Sequence, residues 1–159
     1  MEKIKTGIIG FGRVAGNHLR NMRECGLYDV THVCDITESR REAAVAEGMV
    51  ATDDLDAFLE TDIDLVLITT HSSAHYADAM KVAMAKKHMI VEKPMALTGS
   101  EAEEMVDAAR DNAVALCVNH NRHYDVDYCR IKAAIRDGLI GRIVSIENRT
   151  LGAQPAVGY

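Results

Sequence analysis

The chain has no excess of basic residues, few aromatics, no paired cysteines and no long apolar run. Eighteen Lys and Arg stand against 24 Asp and Glu, a formal net charge of −6 over 159 residues. That balance, without a basic run interleaved with aromatics, argues against a nucleic-acid or anionic-membrane surface. No apolar segment approaches the roughly 20 residues that span a bilayer. The N-terminal apolar run is short and broken by glycines, so it reads as a strand rather than a signal peptide. Cys25, Cys34, Cys117 and Cys129 are scattered, with no C-x-x-C pair, which predicts four free and mostly buried thiols. A soluble, cytoplasmic protein is expected. No internal repeat, low-complexity segment or flexible linker stands out. A chain of this length fits one domain, or one domain and a fragment of another, and buries about 70% of its unfolded surface.

What is present begins with residues 5 to 35. Lys5-Thr6-Gly7-Ile8-Ile9 is an apolar run that ends in Gly10-Phe11-Gly12, an amphipathic stretch follows, and Val30-Thr31-His32-Val33-Cys34 ends in Asp35. This is the strand–helix–strand layout of a dinucleotide site. Gly10 permits the tight turn, Gly12 lets backbone approach a pyrophosphate, and Ala15 lets the helix pack closely on the strand. The helix start, at Arg13 and Val14, offers N–H groups to phosphate. Asp35, 23 residues beyond Gly12, can accept hydrogen bonds from an adenosine ribose. Its charge opposes a 2′-phosphate and favours NAD over NADP. Arg40 and Arg41 are positioned to hold such a phosphate, but beside Glu38 and Glu42 they read as surface charge on the next helix.

Strand and helix alternate six times up to about residue 119, which predicts a doubly wound parallel sheet with ligand at the carboxyl ends of its strands. Expected strands are Lys3–Ile9, Asp29–Asp35, Met49–Thr52, Asp64–Thr69, His88–Glu92 and Val114–Val118. Expected helices are Arg13–Glu24, Glu38–Glu47, Asp54–Leu59, Ala74–Lys86 capped by Ser72 or Ser73, and Ser100–Asn112 with Thr98 or Ser100 as cap. Met80, Met84 and Met105 read as core fillers on these helices. A long helix over Tyr124–Asp137 and an alternating strand over Arg142–Thr150 come next. A single unpaired strand is not stable by itself, so residues 120–159 read as the start of a second, incomplete α/β domain.

Val91-Glu92-Lys93-Pro94 ends the fifth strand, so Lys93 should enter the crevice as a buried ammonium able to bond a substrate hydroxyl. His71 and His75 lie four apart, and His120 and His123 three apart near Cys117. The first pair lacks the intervening glutamate of a zinc-protease helix, and no third ligand has clear spacing, so no metal is expected. His18 should pack or hydrogen-bond near the glycine loop. His32 and His88 are strand residues without assigned chemistry.

Gly10-Phe11-Gly12, Asp35, Ile68-Thr69-Thr70 followed by His75, Glu92-Lys93-Pro94 and Asn121-Arg122 together resemble the glucose–fructose oxidoreductase/inositol dehydrogenase/MocA family of NAD(P)-dependent oxidoreductases. The resemblance implies a Rossmann domain followed by an α/β substrate domain, acting on hydroxyls of sugars, sugar derivatives or cyclitols. It implies that Lys93 contacts substrate and assists the proton, and that Pro94 follows a cis peptide. It places Glu92 near the nicotinamide, Thr69 and Thr70 along the cofactor, His75 near the nicotinamide ribose and Arg122 at the passage into the second domain. A homo-oligomer of the longer protein is implied too. His71 replaces a proline common in the family. The family's downstream Asp…His element has no counterpart here, so these 159 residues should bind cofactor without turnover. The alternative is a non-catalytic NAD(P)-sensing protein of the same fold.

Overall fold

The computed structural model describes residues 2–147 and 149. The chain falls into two compact units, one ending at His120 and the other beginning at Asn121. In the first, six strands run β1 (Ile4–Ile9), β2 (Tyr28–Cys34), β3 (Val50–Thr52), β4 (Leu65–Ile68), β5 (His88–Val91) and β6 (Leu116–Val118). Between them lie α1 (Arg13–Cys25), α2 (Glu38–Ala46), α3 (Leu55–Leu59), α4 (His75–Met84) and α5 (Gly99–Asp111). All strand pairs are parallel, in the order β3-β2-β1-β4-β5-β6. The order reverses direction between β1 and β4, and in such sheets the crevice at that switch point takes the ligand.

Ile8 and Ile9 are neighbours in sequence and belong to different cores, as a period of two requires. Ile8, Val33 and Leu67 pack with Ala15, Leu19 and Met22 of α1 and with Ala44 of α2. Ile9, Val66, Ile68, Met89 and Val91 pack with Phe58, Ala79, Val82 and Met105 on the other face. Covered on both sides, β4 is buried at all four positions, which explains its unbroken apolar run. Gly7 makes room for one of these contacts. A Cβ there would lie 2.5 Å from the Phe58 ring and 2.9 Å from Ile63 Cδ1.

The helix starts follow side-chain chemistry. The Asp54 carboxylate accepts from the N–H groups of Asp56 and Ala57 at 3.0 and 3.1 Å and starts α3. Thr98, not Ser100, caps α5, with Glu101 accepting in return from Thr98 N–H at 3.0 Å. The residue at the cap of α4 is Ala74, not Ser72 or Ser73. The Ser73 hydroxyl is engaged instead by His71 Nδ1 at 2.9 Å, which takes it away from the helix end. Met105 is buried in the core, whereas Met84 lies on the outer face of α4 with 73% exposure.

In the second unit, residues 121–124 form a 3₁₀ turn and α6 runs over Val126–Arg136. The helix expected over Tyr124–Asp137 is present as α6 and starts two residues later, because Asp125, its N-cap, is extended (ψ 139°) and separates it from the 3₁₀ turn. Neither piece contains a buried residue. Residues 142–147 form no strand. An edge without a partner has nothing to bond its backbone, and the remaining positions expected in that strand include residues outside the described ones. Among the described residues no helix is long and apolar enough to cross a membrane.

Candidate dinucleotide site

The carboxyl ends of β1, β2 and β4 open on a cavity of about 330 Å³. Gly10, Asp35, Ile36 and Arg40 line one wall, and Thr70, His71, Ala74 and Asp78 the other. Gly10 has φ +83°, and a Cβ there would stand 2.9 Å from Thr70 N. The turn therefore needs glycine twice over, for its backbone angle and for the approach of the β4 loop. Thr69 holds that approach, with its hydroxyl donating to the Gly10 carbonyl at 2.5 Å and its N–H to the Ile9 carbonyl at 2.9 Å.

Gly12 differs. A Cβ built on it meets only the Arg40 guanidinium, at 4.0 Å, so the space above its backbone is open. Gly12 is also the N-cap of α1 and supplies no side-chain bond. The first-turn N–H groups, beginning with Arg13 and Val14, are left for an outside acceptor. A pyrophosphate fits this cradle. Ala15, one turn in, is fully buried against the sheet.

Asp35 is buried at the end of β2. Its Oδ2 accepts from Phe11 N–H at 2.7 Å and its Oδ1 from Thr37 N–H at 2.8 Å. The carboxylate therefore fixes both the glycine loop and the entry to α2. Sequence reading left Arg40 and Arg41 as surface charge beside Glu38 and Glu42, and the structure corrects this. Arg40 Nη1 lies 3.5 Å from Asp35 Oδ2. Arg41 donates to the Asp35 carbonyl at 2.9 Å and lies 3.6 Å from Asp53. Asp78, on the opposite wall, accepts from the Thr70 hydroxyl at 2.7 Å. Burial pushes its carboxyl above the usual range, and the Thr70 bond opposes that only in part.

The rim at the ends of β5 and β6 is built differently. Glu92 is buried, and its Oε1 lies 2.7 Å from His18 Nε2 of α1 and 2.6 Å from Asn119 Nδ2. Its Oε2 accepts from Lys93 N–H at 3.1 Å. Burial alone would raise the Glu92 pKa, but these bonds outweigh it and hold the carboxyl below its ordinary value. The peptide between Lys93 and Pro94 is cis. Lys93 itself is exposed, not buried, because it lies beyond the last residue of β5 on the open rim. His75 is 1% exposed, and each ring nitrogen lies at bonding distance from a carbonyl oxygen, 2.7 Å to Pro94 and 3.1 Å to Thr70. It thus ties the Lys93–Pro94 loop to the β4 loop.

Of the residues that sequence reasoning assigned to one crevice, Gly10, Asp35 and Thr70 line the cavity, while Phe11 meets Asp35 through its N–H, Thr69 bonds the Gly10 carbonyl and Gly12 lies beside Arg40. The structure also sets Glu92, Lys93 and His75 along the neighbouring rim. Arg122 lies in the second unit, where its guanidinium pairs with Asp125 at 2.8 Å. Sequence reasoning missed the contact of Arg40 with Asp35 and those of His18 and Asn119 with Glu92. Of the four thiols only Cys34 is buried, against the expectation for most of them. Cys25 ends α1, Cys117 is on the edge strand β6 and Cys129 is on α6, none of which the core covers. Burial pushes the Cys34 thiol up to about 11. Among the described residues no cluster of three or more His, Cys, Asp or Glu is placed to hold a metal ion. A larger hollow, about 530 Å³, lies in the second unit, lined by Ile131, Ile135 and Ile146 together with the charged Asp127, Lys132, Glu147 and Arg149.

Residues 4–120 match the model of the oxidoreductase family with an NAD-binding Rossmann fold that is named for glucose–fructose oxidoreductase, inositol dehydrogenase and MocA. The chain belongs to that family. Within it, the inositol 2-dehydrogenase of Salmonella typhimurium is 28% identical over 98% of this chain and 48% of its own length. A scyllo-inositol 2-dehydrogenase of Bacillus subtilis, named for NADP, is 32% identical over 87% of this chain and 39% of its own. The crystal structure of the WlbA dehydrogenase of Bordetella pertussis, with NADH and UDP-GlcNAcA, superposes with a TM-score of 0.85 at 30% identity. It covers 89% of this chain and 44% of that one. The chain thus spans about half the length of the curated relatives it matches.

Proposed function

We propose that residues 1–119 bind NAD and form the cofactor half of an oxidoreductase acting on a hydroxyl of a sugar, sugar derivative or cyclitol. On this reading residues 120–159 carry the connecting helix and the start of the substrate domain. The observation that carries it is the open space over Gly12 beside a buried Asp35. The relatives, inositol dehydrogenases by name and a dehydrogenase whose crystal structure holds NADH and UDP-GlcNAcA, support the substrate class.

When bound, the nicotinamide supplies a hydride acceptor or donor. The residues of this chain have separate tasks. Gly10, Phe11, Gly12, Arg13 and Val14 would cradle the pyrophosphate with backbone N–H groups. Asp35 would accept from the adenosine ribose. Thr69 and Thr70 would line the cofactor. His75 acts through the loop it ties down, and Glu92 fixes the backbone of Lys93. The Lys93 ammonium would hold the substrate hydroxyl and take part in its proton movement. Arg122 would contact cofactor or substrate where the chain enters the second domain.

Titration of NAD into this polypeptide by calorimetry tests the reading. Saturable binding, lost on Asp35→Ala, is expected, and absence of binding in the parent chain would overturn it. In a polypeptide that also carries the second domain, Lys93→Ala should cut kcat on a polyol on the order of 100-fold or more while NAD affinity stays within about 2-fold. A non-catalytic sensor would bind NAD equally well and show no such lysine dependence.

A further inference from the structure

Lys93 is exposed on the rim, and among the described residues no group bonds or pairs with its ammonium. Its backbone is what is held. The Lys93 N–H donates to Glu92 Oε2 at 3.1 Å, so the lysine sits where the Glu92 carboxylate sits. That carboxylate is held in turn at its other oxygen. Oε1 lies 2.7 Å from His18 Nε2 and 2.6 Å from Asn119 Nδ2. Glu92 is held below the ordinary carboxylate value and, being ionised, only accepts. His18 Nε2 therefore carries a hydrogen and donates it. The two donors converge on one oxygen, 3.4 Å from each other.

His18 stands on α1 beside Ala15, Leu19 and Met22, the residues that bury this helix against the sheet. Its ring is thus carried by a packed element and not by a loop. The His18 side chain is 20% exposed and that of Glu92 11%, and a hydrogen bond to a charged group in so little water is stronger than its surface counterpart. With two side-chain donors on Oε1, Glu92 is satisfied and does not draw the neighbouring Lys93 ammonium onto itself. We propose that His18 is a positioning residue for Lys93, acting through Glu92 to fix the lysine's backbone and to leave its ammonium free for the substrate hydroxyl. The inference rests on the function proposed above and extends it to α1. It connects the helix that starts at the glycine loop with the residue that meets substrate, through a bond between side chains 74 residues apart.

Amide hydrogen exchange on the 159-residue chain reads the positioning directly. In His18→Ala the Lys93 N–H should exchange on the order of 10-fold faster, while the amides of β4 stay within about 2-fold. His18→Gln should restore slow exchange, because its side-chain amide offers an N–H donor at the place of the ring Nε2. In a polypeptide that also carries the second domain, His18→Ala should lower kcat on a polyol on the order of 10-fold, with NAD affinity within about 3-fold, and His18→Gln should recover most of that loss. Unchanged exchange at Lys93 overturns the proposal, and so does an equal acceleration throughout the sheet, the mark of a merely structural role. A His18→Gln variant that behaves as His18→Ala overturns it as well, since ring packing and not the donor would then matter. Loss of NAD affinity in proportion to kcat would place His18 in the cofactor site and do the same. Failure of the parent chain to bind NAD overturns the function proposed above and the purpose given to Lys93 with it. The exchange result does not depend on NAD, so the two failures are distinguishable.

Discussion

Two buried carboxylates stand on the same rim of the sheet, and they are anchored by opposite means. Asp35, at the end of β2, is held by main-chain N–H groups and faces open space beside an exposed arginine. Glu92, at the end of β5, is closed in by side chains from α1 and from beyond β6. The first arrangement leaves a ligand-sized hollow with its donors pointing outward. The second opens a smaller hollow, about 190 Å³, at His18 and Asn119, and puts an exposed lysine on a firmly fixed backbone. One side of the rim is therefore built to receive a molecule by itself. The other is built to hold a single functional group steady for something that must approach from outside.

The contrast breaks most severely at Gly10. Gly10→Ala forces a side chain into positive φ and against Thr70 N, a cost of about 1–3 kcal/mol from strain alone. Loss of NAD binding together with a clear drop in Tm is expected. A variant that binds NAD normally would mean that the loop tolerates another path. Glu92→Ala tests the closed side, where His18, Asn119 and Lys93 N–H would lose an acceptor at a cost of about 1–3 kcal/mol. Denaturant unfolding should show that loss, with NAD affinity nearly unchanged. The pH dependence follows from the sign. The folded pKa of Glu92 is depressed, so its contribution is complete above the ordinary carboxylate value, about 4.3, and disappears as pH falls through the folded value. Glu92→Gln should flatten that part of the acid-stability curve, and an unchanged curve would assign the acid loss elsewhere. The smallest effect belongs to Lys93→Ala in the present chain. The side chain is exposed, so stability should stay within about 0.5 kcal/mol and NAD affinity within about 2-fold. A large change in either would place Lys93 inside the cofactor site.

The open side was legible in the sequence because its parts are close in the chain and follow the strand–helix–strand order. Glycines, the helix start and the acid at the end of β2 carry their own local chemistry. The closed side was not legible as a network. His18 and Glu92 are separated by 74 residues, and Asn119 follows Glu92 by 27, so only the sheet brings them together. Arg40 was misread for a related reason. Charge spacing along a helix shows the neighbours Glu38 and Glu42, and it does not show the acid that precedes the helix and lies across its entry. The cap of α4 failed because two serines offered suitable chemistry, while the His71 ring took one of them. In the second unit, the apolar positions of α6 have the pattern of a buried face but no cover among the described residues. Pattern reports what a face could bury, and burial itself requires a partner.

The bond between Thr69 and the Gly10 carbonyl joins residues 59 apart in the chain. This separation has a bearing on the order of events during synthesis. Chains fold from the N-terminal end as they are made, and distant pairings must wait for both partners. A nascent chain that has reached only the end of β3 already contains the glycine loop, Asp35 and Arg40, yet it lacks the wall that turns them into a hollow. The receptive shape comes into being when β4 docks beside β1, so a growing chain gains this cavity in one step rather than by degrees.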